Sequence, residues 1–300
     1  MKTSGITKAN VFALGLVLNM ILYKFYGGVF VSVFGANTLA TLIITNLIVY
    51  GVPVIVYFMF SMDYVSDIIK INNPGILNIL IITAISVFIQ PLLMLISGIS
   101  SLFFEPKTAD YISTFMTLPL YYTILSTAFF PALTEEIAFR GIVFSNLKEK
   151  TLLKACVFSG LLFGMAHLNG EQFFYAFFMG IIFSYFVQRT DSIISSIVSH
   201  FVINGSQTLM TLYMLKQGTY NAQESAASFA DLLPNIKLAA ISLIPLATLF
   251  LVFEGNYRKK QRSSSVSMNI SEYAFDSDES MLKPSFFIFL VVFAAYALFS

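Results

Sequence analysis

Tryptophan is absent from this chain of 300 residues, cysteine occurs once and histidine twice. The single cysteine, Cys156, excludes an intramolecular disulfide and any cysteine-based metal cluster. It stands in an apolar run, the usual setting of a small buried thiol. Charge is also scarce. Asp, Glu, Lys and Arg make up 11% of the residues, against roughly 25% in a soluble domain, whose surface must be wetted. So few charges cannot cover a globule in water, and the missing polar surface implies a surface facing lipid. A net charge of +1 gives no basic footprint, so no nucleic acid is expected as a partner. Gly-rich phosphate loops, zinc-finger spacings and soluble-type repeats are missing too.

What is present is apolar sequence, 57% of the chain. A helix needs about 20 such residues to cross the hydrocarbon core. Runs of that kind cover Val11 to Phe34, Thr38 to Phe60, Ile76 to Phe103, Leu118 to Phe144, Leu152 to Leu168, Phe173 to Val187, Ile193 to Leu215, Ile236 to Phe253 and Ser285 to Phe299. The sixth and ninth are short. The expected fold is therefore all-α, a polytopic transmembrane bundle of eight or nine helices forming a single membrane domain over 1–300. Lys2 and Lys8 before the first run resemble a signal peptide without a clear cleavage site, which reads as a retained signal anchor. Glu254 to Lys283 is the longest polar stretch, basic at its start and then rich in Ser, Asp and Glu. It reads as a disordered cytoplasmic loop.

The lysines and arginines test the segment count, because cytoplasmic loops should hold them. With the N-terminus inside and the segments alternating, twelve of the seventeen fall on the inner side and three on the outer side, Lys107, Lys216 and Lys237. Lys24 and Arg140 lie within segments. A wrong segment among the first eight would scramble this bias.

Ionisable groups inside a membrane cost ~3 kcal/mol or more each at mid-depth and are presumed functional. Segment four contains Glu135, Glu136 and Arg140. Glu136 and Arg140 are four apart and can pair on one helical face. Glu135 points about 140° away, towards the bundle interior. Pro131 should kink this helix and free the carbonyl of Thr127. Segment five contains His167, and segment seven places His200 and Asn204 one turn apart. Glu135 lies thirteen residues before Lys148, His167 thirteen after Lys154, and His200 eleven after Arg189. At about 1.5 Å per residue, all three sit about 16 to 20 Å from the inner boundary, at one depth. An intramembrane polar cavity among segments four, five and seven follows. Two histidines and a carboxylate at one level suit a zinc ion held by Glu135, His167 and His200, which would lower the pKa of bound water to about 7. A carboxylate–imidazole base without metal stays open beside it.

Glu-Glu-x-x-x-Arg (Glu135, Glu136, Arg140), Phe-x-x-x-His (Phe163, His167) and His-x-x-x-Asn (His200, Asn204) resemble the three motifs of the CPBP family. This family includes the CAAX prenyl proteases of the Rce type and the bacteriocin-processing or self-immunity proteins also called Abi. The resemblance covers about 118–207. It implies an intramembrane endopeptidase acting on membrane-embedded or lipid-anchored peptides or proteins, in which Glu135 and His167 activate water. His200 and Asn204 would complete the site and stabilise the oxyanion, and Glu136 with Arg140 would hold the constellation. A bacterial cell membrane, with the N-terminus cytoplasmic, is the expected location. Two rivals remain: a transporter using the Glu–His set as a proton relay, and a catalytically idle scaffold that regulates a partner in the bilayer.

Overall fold

The structure is a computed structural model that describes residues 3–36, 39–104, 118–148, 150–218, 232–263 and 277–299. Among these the regular elements are all helices, with one isolated bridge between Ile71 and Ser192. In chain order the helices are α1 (Gly5–Phe34), α2 (Leu39–Ser61), the short α3 (Val65–Ile68), α4 (Ile76–Ser100), α5 (120–144), α6 (Leu152–Ala166), α7 (Gly170–Thr190), α8 (Ile193–Lys216), α9 (Leu233–Ser263) and α10 (Pro284–Phe299). Each of the nine apolar runs is a helix. Five of them (α1, α2, α4, α7 and α9) are long and apolar enough to cross a membrane. This is an integral membrane protein.

The helices group around two clusters of buried side chains. One is built by α1, α5, α6 and α10, with Leu16, Phe139, Phe144, Phe163 and Phe289 among its buried members. The other joins α4, α7, α8 and α9 through Ile82, Ile85, Phe183, Phe186, Ile203 and Phe253. α7 packs against members of both clusters. Its close contact with α6 depends on glycine. A Cβ on Gly180 would lie 2.6 Å from the Cα of Gly160, and one on Gly164 would lie 2.8 Å from the carbonyl of Phe173. Small residues four apart let two membrane helices approach backbone to backbone.

The connections that carry most of the basic residues meet at one end of the bundle. Lys8 Nζ pairs with Asp63 at 2.7 Å, and the Ser4 hydroxyl donates to Glu279 at 2.6 Å. Ser145 donates to the Ile68 carbonyl at 2.8 Å, and Lys150 donates to the Ser277 carbonyl. Asn72 donates to Asp191 at 2.6 Å, while the backbone N–H of Ile193 donates to the Lys70 carbonyl at 2.8 Å. The N-terminus and four connecting segments thus share one end, as strict alternation of the helices requires. Of the marker residues, Lys2 and Lys107 lie outside the described residues.

Two boundaries differ most from the reading of the sequence. α1 begins at Gly5 rather than Val11, because Ser4 caps it by accepting the Thr7 backbone N–H. α9 runs on through Glu254 to Ser263, so the first third of the stretch expected as disordered loop is helix. Glu254 holds that extension: it pairs with Arg258 one turn on at 3.1 Å and with Arg189 of α7 at 3.0 Å, and it accepts the Tyr185 hydroxyl at 2.6 Å. Residues 264–276 of that stretch lie outside the described residues.

Candidate active site

α5 is not a continuous α-helix. Wide π turns occupy Leu125–Phe129 and Ile137–Phe144, on either side of the α-helical piece Phe130–Glu136 that carries both glutamates. A third π turn, Leu47–Gly51, interrupts α2. Such turns insert an extra residue into the helical ladder and concentrate at functional sites. The carbonyl that Pro131 frees has a partner: Asn204 Nδ2 donates to Thr127 O at 3.3 Å. A hydroxyl contact between Thr208 and Thr127 at 2.9 Å fastens α8 to α5 beside it.

At the centre, Arg140 Nη1 lies 3.0 Å from Glu136 Oε1, with both side chains 0% exposed. The guanidinium carbon sits 4.2 Å from the Phe163 ring centroid and 5.1 Å from that of Phe183, so the cation lies on two aromatic faces. A Cβ on Gly180 would stand 3.4 Å from Arg140 Nη2, in ordinary van der Waals contact with it. The same Glu136 oxygen lies 2.9 Å from His200 Nδ1. An ionised carboxylate can only accept, so Nδ1 carries the proton and donates. Phe183 stacks on the His200 ring at 5.2 Å. Ser199, next to His200, bonds Ser86 of α4 at 2.7 Å, and Ser206 accepts from Gln90 at 2.6 Å, which steadies α8 from its other side.

Glu135 does point away from Arg140, into the bundle. Its Oε2 lies 4.0 Å from His200 Nε2 and its Oε1 accepts the Tyr50 hydroxyl at 3.1 Å. With 15% of the side chain exposed, it is the more open of the two carboxylates. His167 ends α6. Its Nδ1–H donates to the Phe163 carbonyl at 2.9 Å, which leaves the lone pair of the neutral ring on Nε2. Phe163 meets His167 edge-on at 4.9 Å and His200 at 6.1 Å. The chain then reverses sharply through Leu168, at φ 52°, a conformation that costs a branched residue of order 1 kcal/mol and is retained where surroundings enforce it.

The six residues singled out in the sequence therefore lie on α5, α6 and α8. Glu135, Glu136, Arg140 and His200 form one cluster, His167 reaches it through Phe163, and Asn204 sits one turn along from His200 against Thr127. Tyr50 and Phe183 were missed. Nothing in a Tyr or Phe of an apolar run marks it in advance, and this chain has 15 Tyr and 32 Phe.

Residues 117–206 match the family described as type II CAAX prenyl endopeptidase Rce1-like. The match spans 90 of the 300 residues and is a similarity over that segment. No curated protein and no solved structure matches the chain. The Rce1-like segment spans α5 to α8 as far as Ser206, so all six residues lie within it, and Tyr50 lies outside it.

Both histidines of the Rce1-like segment show the arrangement that orients metal-binding imidazoles, with Nδ1 tied to a carbonyl or carboxylate and Nε2 turned away from it. Among the described residues, however, no three His, Cys, Asp or Glu side chains are grouped closely enough to hold a metal ion. As placed, Glu135, His167 and His200 do not make a three-ligand set. A cavity of about 840 Å³ opens elsewhere, between α1 and α2, lined by Val11, Phe12, Leu16, Pro53, Val56 and Phe60 among others. It includes none of the six residues.

Proposed function

We propose that this protein is an intramembrane endopeptidase that hydrolyses peptide bonds of lipid-anchored or membrane-embedded substrates, with its N-terminus on the cytoplasmic side. The observation that carries the reading is the buried Arg140–Glu136–His200 chain. It fixes an imidazole beside a second, partly accessible carboxylate, Glu135, within a segment that matches a family of endopeptidases. A relay of protons would not need a fully buried ion pair to orient one ring.

In this proposal, Glu135 takes a proton from water as its oxygen attacks the peptide carbonyl, while the free Nε2 of His167 accepts a hydrogen bond from the same water and orients it. Negative charge gathers on the carbonyl oxygen. Asn204 has a second Nδ2–H beyond the one given to Thr127; with the His200 ring beside it, it stabilises the oxyanion. The C–N bond breaks as the proton held by Glu135 passes to the leaving nitrogen. Glu136 and Arg140 do no chemistry; they hold His200. A zinc ion, when bound, would polarise the same carbonyl and acidify water; it would need Glu135, His167 and His200 drawn closer than they stand.

The test is cleavage by purified protein in liposomes, with prenylated and unprenylated membrane-anchored peptides supplied side by side. Glu135→Gln and His167→Ala should each lower kcat by roughly 10²-fold or more. Near-normal turnover by either variant would remove that residue from the mechanism. Cleavage confined to prenylated peptides would assign the CAAX-type substrate; cleavage of both would assign the broader, bacteriocin-processing type.

A further inference from the structure

The Rce1-like segment begins at residue 117, yet Glu135 is held from far outside it. The Tyr50 hydroxyl donates to Glu135 Oε1 at 3.1 Å across 85 positions of sequence. Tyr50 stands in the π turn Leu47–Gly51 of α2, and that turn is itself fastened. Asn19 of α1 donates through Nδ2 to the carbonyls of Ile48 at 2.9 Å and Val49 at 3.0 Å. Tyr26, two turns along α1, donates to Asn19 Oδ1 at 3.4 Å. A chain of contacts thus runs from α1 through the π turn of α2 to one oxygen of Glu135.

The geometry has a physical consequence. The π turn adds one residue to the ladder, and one residue is about 100° of helical rotation. Were the turn to relax to regular α-helix, the residues on one side of it would swing by that amount relative to the other, and the Tyr50 phenol would leave Glu135. Asn19 opposes this by donating hydrogen bonds to two backbone carbonyls of the turn, those of Ile48 and Val49. With Oε1 held by Tyr50, the carboxylate cannot swivel freely, and Oε2 is kept on the side of His200 Nε2, 4.0 Å away. We propose that Tyr50 is a positioning residue for Glu135, and that Asn19 sets its place by holding the π turn. The proposal rests on the peptidase reading, in which Glu135 is the base.

The experiment is a double-mutant cycle read by cleavage kinetics, with thermal melting as the check on folding. Tyr50→Phe keeps the ring and removes only the hydroxyl. It should lower kcat roughly tenfold, as loss of one hydrogen bond to a charged group does, while KM stays within about twofold because Tyr50 touches Glu135 and not the substrate. Glu135→Asp shortens the carboxylate by one methylene and carries it beyond reach of the hydroxyl, so adding Tyr50→Phe to Glu135→Asp should cost nothing further. Asn19→Ala, with the hydroxyl retained, should reproduce the loss in kcat. Equal loss on Tyr50→Phe in both backgrounds, or none in the wild-type background, overturns the role of Tyr50. Full activity of Asn19→Ala overturns the role of the π turn. Wild-type protein that cleaves no peptide overturns the peptidase reading and this proposal with it, whereas an active wild type beside an equally active Tyr50→Phe overturns this proposal alone.

Discussion

Replacing Arg140 by alanine should unfold this protein well below the melting temperature of the wild type, and the size of the effect follows from the surroundings of the guanidinium. Arg140 and Glu136 are both fully buried and 3.0 Å apart. Removing the arginine leaves the Glu136 carboxylate in the bundle, still accepting from His200 Nδ1. Breaking a buried pair in this way costs about 3–5 kcal/mol, most of it the cost of the stranded charge. The contacts with the Phe163 and Phe183 rings add to the loss, and relief of the arginine's own desolvation subtracts from it, so about 4 kcal/mol is the working figure. At about 2–4 °C per kcal/mol, the melting temperature should fall by roughly 10 °C. Arg258→Ala is the internal control. It also breaks an i,i+4 pair, with Glu254 at 3.1 Å, but Arg258 is 68% exposed. Such a pair is worth at most about 1 kcal/mol. Arg140→Met combined with Glu136→Gln should recover much of the stability, because apolar or neutral replacement of both partners leaves no stranded charge. The assay is thermal melting of purified protein in detergent, followed by intrinsic tyrosine fluorescence and by loss of monodispersity. If Arg140→Ala melts within about 2 °C of the wild type, or no lower than Arg258→Ala, the ion pair does not hold the site as argued.

Three further outcomes are expected. Stripping the protein with a chelator, with elemental analysis confirming that less than a stoichiometric trace of zinc remains, should leave peptide cleavage intact if the Glu135–His167 base works alone; loss of cleavage that returns with zinc would show that the ligands close around an ion. Stability should fall on acidification. Burial opposes ionisation of Asp63, but hydrogen bonds from Lys8 and Tyr57 outweigh it and hold this carboxyl below its ordinary 3.8; Lys283 and Ser4 hold Glu279 below its ordinary 4.5. Groups lowered in the folded state contribute stability above their ordinary values and lose it as pH falls through the lowered ones, so melting temperature should drop between about pH 5 and pH 3, and an Asp63→Asn, Glu279→Gln variant with an equally steep drop would contradict this. Ser66→Cys in a Cys156→Ala background should label with an impermeant thiol reagent only after the membrane is opened; labelling of intact cells would place the Lys8–Asp63 end outside.

Much of this architecture is written locally. The apolar runs specify the helices, because length and hydropathy alone decide what a bilayer accepts, and the basic residues specify which connections share an end. The pairing of Glu136 with Arg140 is a matter of one helical turn, and the freeing of the Thr127 carbonyl follows from Pro131 four residues on. Such features need no knowledge of the rest of the chain. Tertiary structure decided the others. His200 meets Glu136 across 64 positions and Tyr50 meets Glu135 across 85, and no periodicity encodes contacts at that separation. The three π turns also escape a reading made at 3.6 residues per turn, because a widened turn departs from that period. The extension of α9 to Ser263 is of the same kind: a polar, charged stretch reads as loop until α7 supplies Arg189 and Tyr185 to hold Glu254. A membrane helix announces itself by what it lacks, whereas the direction in which its few polar atoms are held depends on the helices packed against it.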